Sequence, residues 1–420
     1  MVTVPPASPH ASAAPLRDRP IVVALAGMAA LAAAMGIGRF AFTPLLPMML
    51  HDRVIDLAGG SWLATANYVG YLLGALACMA LPWWGRRGGR APGAAVLARS
   101  GLVATALLAL GMALPWSAGW PALRLAAGIA SAVVFVNVSG WCMVRLVALG
   151  RPAMGGMIFC GPGIGITLSG LSAGAMVAMD WRAAAGWVAF GLLAAVLCGL
   201  VWPVVQGAAA ARPAGATAAP ASARAASPAQ RAERALLTAA YGLAGLGYIV
   251  TATFLPVIAR SVLPAGSPWP DWFWPMFGAG VALGALLSTR TPAHWDRRWL
   301  LAGCYAVQAG AIGIGLCWPG TPGFAAGSLL LGLPFTAITF YALQEARRIW
   351  PAAGDSFTGL LTAAYGIGQI AGPPMVALLL HRSATPAEGF DWALEAAAAA
   401  LVLGIVLYGA MARRWPLRRN

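Results

Sequence analysis

One arginine stands inside a long apolar stretch near the start of the sequence. Arg39 is the only charged residue between positions 21 and 49. In a helix, Gly36, Arg39 and Thr43 would share one face, because they are spaced by three and then four residues. A guanidinium stays charged and can hold a carboxylate through two parallel hydrogen bonds. Arg39 is therefore predicted to bind an anionic group of a ligand, and the alternative is an arginine that ties helices together through backbone carbonyls.

Polar residues also form a stripe in an apolar stretch near the end of the chain. Thr358, Thr362, Tyr365 and Gln369 follow one another at steps of four, three and four residues, which places them on one helix face. Such a stripe faces either a central cavity or another helix, where it makes hydrogen bonds between helices. Both interpretations stay open, and they apply equally to three further polar residues in apolar stretches, namely Asn67, Thr336 and Thr339.

The composition decides what kind of protein positions these residues. Of the 420 residues, 60% are hydrophobic and only 9% are charged. In soluble domains about a quarter of all residues are charged. There is too little charge to cover a surface in water, and a chain this apolar does not remain unfolded there. The composition predicts an all-α integral membrane protein and excludes a soluble enzyme.

Twelve stretches are long enough to cross a bilayer, for which a helix needs about 20 apolar residues. The predicted spans are 21–49, 60–81, 93–114, 120–146, 153–179, 183–205, 235–263, 272–288, 299–317, 323–343, 354–380 and 392–411. The eighth is the shortest, and prolines interrupt its beginning. Residues 1–20 are predicted to be a disordered cytoplasmic tail.

The arginines are distributed unequally between the two sides of these spans. The net charge is +15 and all 27 basic residues are arginine. Twenty arginines fall on the side of the amino terminus and four on the opposite side. Positive residues accumulate on the cytoplasmic side, so both termini are predicted to be cytoplasmic. This asymmetry also accounts for the basic pI, and no nucleic-acid partner is needed.

The chain divides into two halves of six spans. Residues 207–234 are rich in Ala, Pro, Ser and Arg and are predicted to form a flexible cytoplasmic linker. The predicted domains are thus an N-terminal bundle (21–206), this linker, a C-terminal bundle (235–412) and a basic cytoplasmic tail (413–420). Duplicated six-helix halves around a central site are typical of secondary transporters.

A shift of 209 residues aligns the two halves. It places Gly36, Gly38, Leu46 and Pro47 on Gly245, Gly247, Leu255 and Pro256. Arg39 then corresponds to Tyr248, which would reach the cavity from the opposite half. Tyr241 and Thr251 lie near the same face as Tyr248. A tyrosine packed between helices is the alternative for Tyr248.

Four motifs resemble those of a known family. They are GIGRFAFTPLLP at 36–47, ANYVGYLLG at 66–74, the segment from YGL at 241–243 to FLP at 254–256, and GIGQIAGP at 366–373. With twelve spans and a central cytoplasmic loop, the chain resembles the major facilitator superfamily and, more narrowly, its YbfB/YjiJ-type transporters. The match covers nearly the whole chain. Arg124 with Gly128 also resembles the superfamily's fourth-span arginine motif, and Gly161-Pro162 its fifth-span glycine–proline motif.

The resemblance implies a fold, a mechanism and a location. It implies that spans one, four, seven and ten line a cavity that opens alternately to each side, in the inner membrane of a bacterium and in a monomer. It suggests protons as the coupling ion, for which Glu345 and Glu395 are the candidates, although no acidic residue lies centrally. Arg124 is a candidate for substrate binding, with snorkelling to water as its alternative. No cofactor or metal is predicted.

Two other functions compete with transport of a small organic anion. An exporter of mixed hydrophobic compounds would be served by aromatic residues near the cavity, here Trp62, Tyr68 and Tyr248. A membrane enzyme would need clustered acids, histidines or a nucleophile with its base, yet the four histidines are scattered. Without lysine, the chain cannot carry the phosphate-binding motif of ATP-driven pumps. The predicted partners are therefore the lipid bilayer and a small-molecule substrate.

Overall fold

The computed structural model describes residues 18–87, 92–207, 227–292, 294–350 and 354–417. Every regular element within these ranges is helical. The N-terminal half consists of α1 (Pro20–Leu31), a π-helical segment (Ala32–Arg39), α2 (Phe42–His51), α3 (Leu57–Arg86), α4 (Ala94–Gly111), α5 (Trp120–Ala148), α6 (Gly161–Ala178) and α7 (Ala183–Val201). A short 3-10 turn (Ser117–Gly119) precedes α5. A 3-10 helix of nine residues (Pro152–Cys160) precedes α6, so the fifth predicted span begins as a 3-10 helix.

The C-terminal half repeats this arrangement. It consists of α8 (Pro228–Val262), α9 (Pro270–Ser288), α10 (Arg297–Cys317), α11 (Thr321–Gly332), α12 (Phe335–Ile349), α13 (Gly354–Arg382) and α14 (Pro386–Arg414). The start of α8 lies inside the segment predicted to be a linker. Ser227 caps this helix by accepting a hydrogen bond from the backbone of Gln230, so the helix begins at Pro228; residues 208–226 lie outside the described ranges.

Eleven of the described helical segments are long and apolar enough to cross a membrane. The predicted count was twelve, and the difference is the eighth span. This span is helical as α9, but Pro270, Asp271 and Pro275 lower its apolar character. The all-helical architecture with two similar halves is as predicted, whereas the count of twelve is not reproduced.

Two predicted spans are each divided between two α-helices. In the first, the N–H of Phe40 donates to the carbonyl of Met35, five residues back, which is π-helical bonding. Pro44 has no N–H to donate to the carbonyl of Phe40, and that carbonyl accepts from the N–H of Thr43 instead. In the tenth span, Pro334 separates α11 from α12. Proline therefore explains both breaks.

The two halves meet along a seam formed by two helix pairs. On one side α3 packs against α13, and on the other side α6 packs against α9, while α2 and α8 contact each other between these pairs. Glycines allow close crossings within each half. A Cβ atom on Gly36 would lie 2.4 Å from the backbone of Gly165, and one on Gly245 would lie 2.2 Å from the carbonyl oxygen of Tyr365. The π-helical segment thus crosses α6 much as α8 crosses α13.

A cluster of buried charges joins the ends of three helices in the C-terminal half. Arg298 is fully buried and lies 3.6 Å from Glu233, 3.7 Å from Glu345 and 2.7 Å from Asp296. Arg348 pairs with the same two glutamates. Partial burial opposes ionisation of Asp296, but hydrogen bonds from Arg298 outweigh it and lower the pKa of this carboxyl. These contacts fasten α8, α10 and α12 to one another.

In the N-terminal half, fewer contacts of this kind join the ends of helices. Asp18, just before α1, pairs with Arg145 near the end of α5. Arg99 of α4 donates to the carbonyl of Trp202, just beyond α7, at 2.5 Å. In the same way Arg298 donates to the carbonyl of Trp415, just beyond α14. We call these contacts, together with the charge cluster of Glu233, Arg298, Glu345 and Arg348, the end clasps of the two halves.

Candidate functional site

Arg39 lies at the seam and is connected to the opposite half. It ends the π-helical segment, and only 3% of its surface is exposed. Its Nη2 donates a 2.8 Å hydrogen bond to Oε1 of Gln369 on α13, and the amide nitrogen of Gln369 donates to the hydroxyl of Tyr248 on α8. The Nε atom of Arg39 is buried and has no hydrogen-bond partner. The residue pair predicted from the repeat, Arg39 and Tyr248, is thus joined through the glutamine.

The prediction that Gly36 shares a face with Arg39 and Thr43 is wrong. Gly36 contacts Gly165 of α6, whereas Arg39 and Thr43 contact the C-terminal half. The prediction assumed 3.6 residues per turn throughout. The π-helical bonds and the break before α2 change that periodicity.

Aromatic rings of the N-terminal half surround the guanidinium of Arg39. Its Cζ atom lies 3.9 Å from the ring centroid of Tyr71, 5.3 Å from that of Tyr68 and 5.2 Å from that of Phe40. Such cation–π contacts are attractive within about 6 Å. Tyr71 was not among the predicted site residues, although its spacing of three residues from Tyr68 in a helix would have placed it on the same face.

Three tyrosines form a column on the other side of Gln369. Tyr365 lies between Tyr248 and Tyr241, at centroid distances of 5.9 and 4.8 Å and with nearly parallel rings. Phe335 meets Tyr248 edge-on at 4.9 Å. The far end of the column is fixed by the hydroxyl of Tyr241, which donates to Thr339 at 3.0 Å. The predicted residue Thr339 therefore holds the column and does not reach Arg39.

Arg124 is directed at the backbone that carries Arg39. It is 2% exposed, and its guanidinium donates to the carbonyl oxygens of Gly38 at 3.4 Å and of Arg39 at 3.1 Å. Its Cζ lies 4.8 Å from the ring of Phe42. The side chain of Arg124 is therefore buried and does not extend to water. The predicted residue Asn67 contacts α5, the helix that carries Arg124, because its amide donates to the carbonyl of Arg124 at 3.0 Å.

The other predicted residues lie at varying distances from this arrangement. Thr43 donates to the carbonyl of Ala252, and Tyr68 shares a 2.8 Å hydrogen bond with Thr253, so both cross the seam. Thr251 instead lines a small apolar cavity within the C-terminal half. Thr336 has a buried hydroxyl without a hydrogen-bond partner. The structure therefore brings Arg39, Tyr68, Tyr248, Tyr365 and Gln369 together and leaves Thr251 apart.

Three residues considered for other functions lie away from Arg39. Trp62 is 61% exposed and does not line the site. Glu345 belongs to the charge cluster at the end of the C-terminal half. Glu395 is exposed on α14. Among the described residues, no ion pair includes Arg39 or Arg124.

Solved structures with the same fold belong to a transporter. The crystal structure of the nucleoside transporter NupG has a TM-score of 0.67 and 14% sequence identity, and the match covers 93% of this chain and 98% of that one. A point mutant of NupG gives a TM-score of 0.69 at the same identity, with 93% and 99% of the two chains covered. At this identity the likeness establishes the fold. No curated protein matches the chain in sequence.

One family matches nearly the whole sequence. Residues 31–408 match the family described as "Uncharacterised MFS-type transporter YbfB". This match contains all the residues that surround Arg39 and the seam between the two halves. It agrees with the fold of NupG and with the helices that are long and apolar enough to cross a membrane. The chain therefore belongs to the YbfB-type family of the major facilitator superfamily, and it is a multi-pass membrane transporter and not an enzyme.

Proposed function

We propose that this secondary transporter moves a small organic anion with a carboxylate group, and that Arg39 binds this group. The observation that carries the proposal is the partner of Arg39. Its buried guanidinium is bonded to the neutral amide of Gln369 and retains an unpartnered Nε. A buried cation is costly unless an anion compensates it. An anionic substrate would supply that compensation.

The atoms at the site suit a carboxylate. Nε and Nη2 form one edge of the guanidinium, which can donate two parallel hydrogen bonds to the two oxygens of a carboxylate. The carbonyl oxygen of Gln369 now occupies one of these positions. A carboxylate that displaced it would also find donors in the amide nitrogen of Gln369 and the hydroxyl of Tyr248. Such an anion would connect the two halves, as alternating access requires of a central substrate.

The proposal includes the orientation of the chain in the membrane. Both termini and the segment 207–234 face the cytoplasm, in the inner membrane of a bacterium, and the support for this orientation is the unequal distribution of arginines. The protein acts as a monomer with protons as the coupling ion, which the family resemblance supports. Glu345 is unsuited to carry the proton, because it is engaged by two arginines.

The test is thermal stabilisation of the purified full-length chain by anionic, neutral and cationic metabolites and by hydrophobic drugs. Carboxylates are expected to raise the melting temperature. In Arg39→Gln their affinity should fall by about 10- to 100-fold, the loss typical of a hydrogen bond to a charged group. Arg182→Gln, at an exposed position before α7, is the matched control and should behave as the wild type.

Two outcomes would overturn the assignment of Arg39. One is that carboxylates stabilise Arg39→Gln as strongly as the wild type. The other is that unrelated hydrophobic compounds stabilise both proteins, which would indicate a broad exporter. Should Arg39→Gln fail to fold, Arg39→Lys keeps the charge, loses the two-pronged donor edge and should still weaken carboxylate binding.

A further inference from the structure

The walls around the anion position are made of aromatic rings from both halves. Five of the eight tyrosines in the chain lie here, together with Phe40 and Phe335. The tyrosines are Tyr68, Tyr71, Tyr241, Tyr248 and Tyr365. An apolar wall for a flexible aliphatic substrate needs only Leu, Ile or Val, which are abundant elsewhere in the chain. Because these rings adjoin a buried guanidinium, they indicate a preference in the shape of the substrate.

The rings present both faces and edges. Tyr248 and Tyr365 are inclined by 18° and Tyr365 and Tyr241 by 25°, so these rings stack face to face. Phe335 stands at 73° to both Tyr248 and Phe40. Offset stacking and edge-to-face contact are the two favourable arrangements of aromatic pairs. A flat ring placed here would find both kinds of partner.

The position of Arg39 locates such a ring. A carboxylate held by the guanidinium would lie between Tyr71, which is stacked under the guanidinium at 3.9 Å, and Tyr248, which is connected through Gln369. The rest of the substrate then extends between rings of the N-terminal half and rings of the C-terminal half. We infer that the substrate is an aromatic carboxylate, whose acid group binds Arg39 and whose ring packs against the column of Tyr241, Tyr248 and Tyr365. This inference rests on the proposed function.

Matched pairs of acids test the inference. Benzoate and cyclohexanecarboxylate have the same carbon skeleton and charge, as do phenylacetate and cyclohexylacetate, but only the first of each pair has a flat ring. Aromatic stacking should make the flat acid bind about threefold to tenfold more tightly than its saturated counterpart. The measurement is isothermal titration of the purified full-length chain. Equal affinities within both pairs would overturn the inference.

Two substitutions of Tyr365 show whether the column is responsible. Tyr365→Leu removes one ring and should bring the affinity ratio close to one while acid binding persists. Tyr365→Phe keeps the ring and should keep the ratio. Should Tyr365→Leu fail to fold, Phe335→Leu removes a different ring and is expected to reduce the ratio too. A ratio that is unchanged in the leucine variant would overturn the assignment to the column.

The failure of this inference differs from the failure of the proposed function. Equal binding of flat and saturated acids, lost in Arg39→Gln, would leave an anion transporter without aromatic preference. If none of the four acids binds, or if all bind equally well to Arg39→Gln, the anion site itself is refuted. Binding of neutral benzamide as tightly as benzoate would show that the rings act without Arg39 and would likewise refute the anion site.

Discussion

The hydroxyl of Thr43 donates a 2.7 Å hydrogen bond to the carbonyl oxygen of Ala252, 209 positions further along the chain. The same offset separates Arg39 from Tyr248, which are joined through Gln369. Positions that are equivalent in the repeat therefore meet at the seam, as expected close to the axis that relates two similar halves. At this axis one half contributes a cation and the other a hydroxyl, so the site is chemically unequal although the folds are alike.

Gln369→Glu should place a carboxylate beside Arg39 that competes with the substrate for the guanidinium. The new carboxylate would occupy the place of the amide and form an ion pair with the guanidinium, at the 2.8 Å distance now seen for the hydrogen bond. We expect a higher melting temperature, because a buried charge gains its counterion. We also expect that carboxylate ligands no longer stabilise the protein. The measurement is the melting temperature with and without benzoate. Unchanged stabilisation by benzoate would contradict the predicted competition.

Glu345→Gln should destabilise the C-terminal half. Glu345 is fully buried between Arg298 and Arg348. Removal of one partner from a buried ion pair costs about 3–5 kcal/mol, because the remaining charge loses its compensation. The measurement is the midpoint of thermal unfolding, with Glu395→Gln at an exposed position of α14 as the control. If Glu345→Gln kept wild-type stability but lost the pH dependence of transport, Glu345 would be a proton carrier.

Gly128→Ala should force α3 away from α5. A Cβ atom on Gly128 would lie 2.0 Å from the carbonyl oxygen of Asn67 and 2.7 Å from the backbone nitrogen of Tyr71. Overpacking of this kind costs about 1–3 kcal/mol, and here it also displaces a ring that contacts Arg39. Gly140→Ala, on the same helix with open space around it, is the control and should be neutral or slightly stabilising. The measurement is thermal unfolding, and equal effects of the two changes would contradict the close crossing.

The proposed orientation predicts which cysteines can be labelled from each side. Cys317 is exposed and is replaced by serine to remove background labelling. A cysteine placed in the segment 207–226 should react with an impermeant maleimide only after the cytoplasmic side is opened. Ala265→Cys, in the exposed loop between α8 and α9, should react on intact cells. The reverse pattern would invert the orientation.

Much of the architecture could be predicted because apolar length and repeats are direct properties of the sequence. The span around Arg39 was found, and the repeat correctly paired Arg39 with Tyr248. The π-helical segment was not predicted, because helical periodicity was applied across Pro44 and Pro47 without a break. Tyr71 was missed although its spacing of three residues from Tyr68 indicates a shared helix face, because that spacing alone does not show that a cation lies over its ring. Thr251 was placed at the site because it lies near the helix face of Tyr248, but it lines a separate cavity inside the C-terminal half.

The end clasps are each closed within one half. Asp18 pairs with Arg145 in the N-terminal half, and Arg298 and Arg348 pair with Glu233 in the C-terminal half. Because none of these ion pairs joins one half to the other, a movement of one half against the other breaks none of them. Each half can therefore tilt as a rigid body and keep the ion pairs at its helix ends.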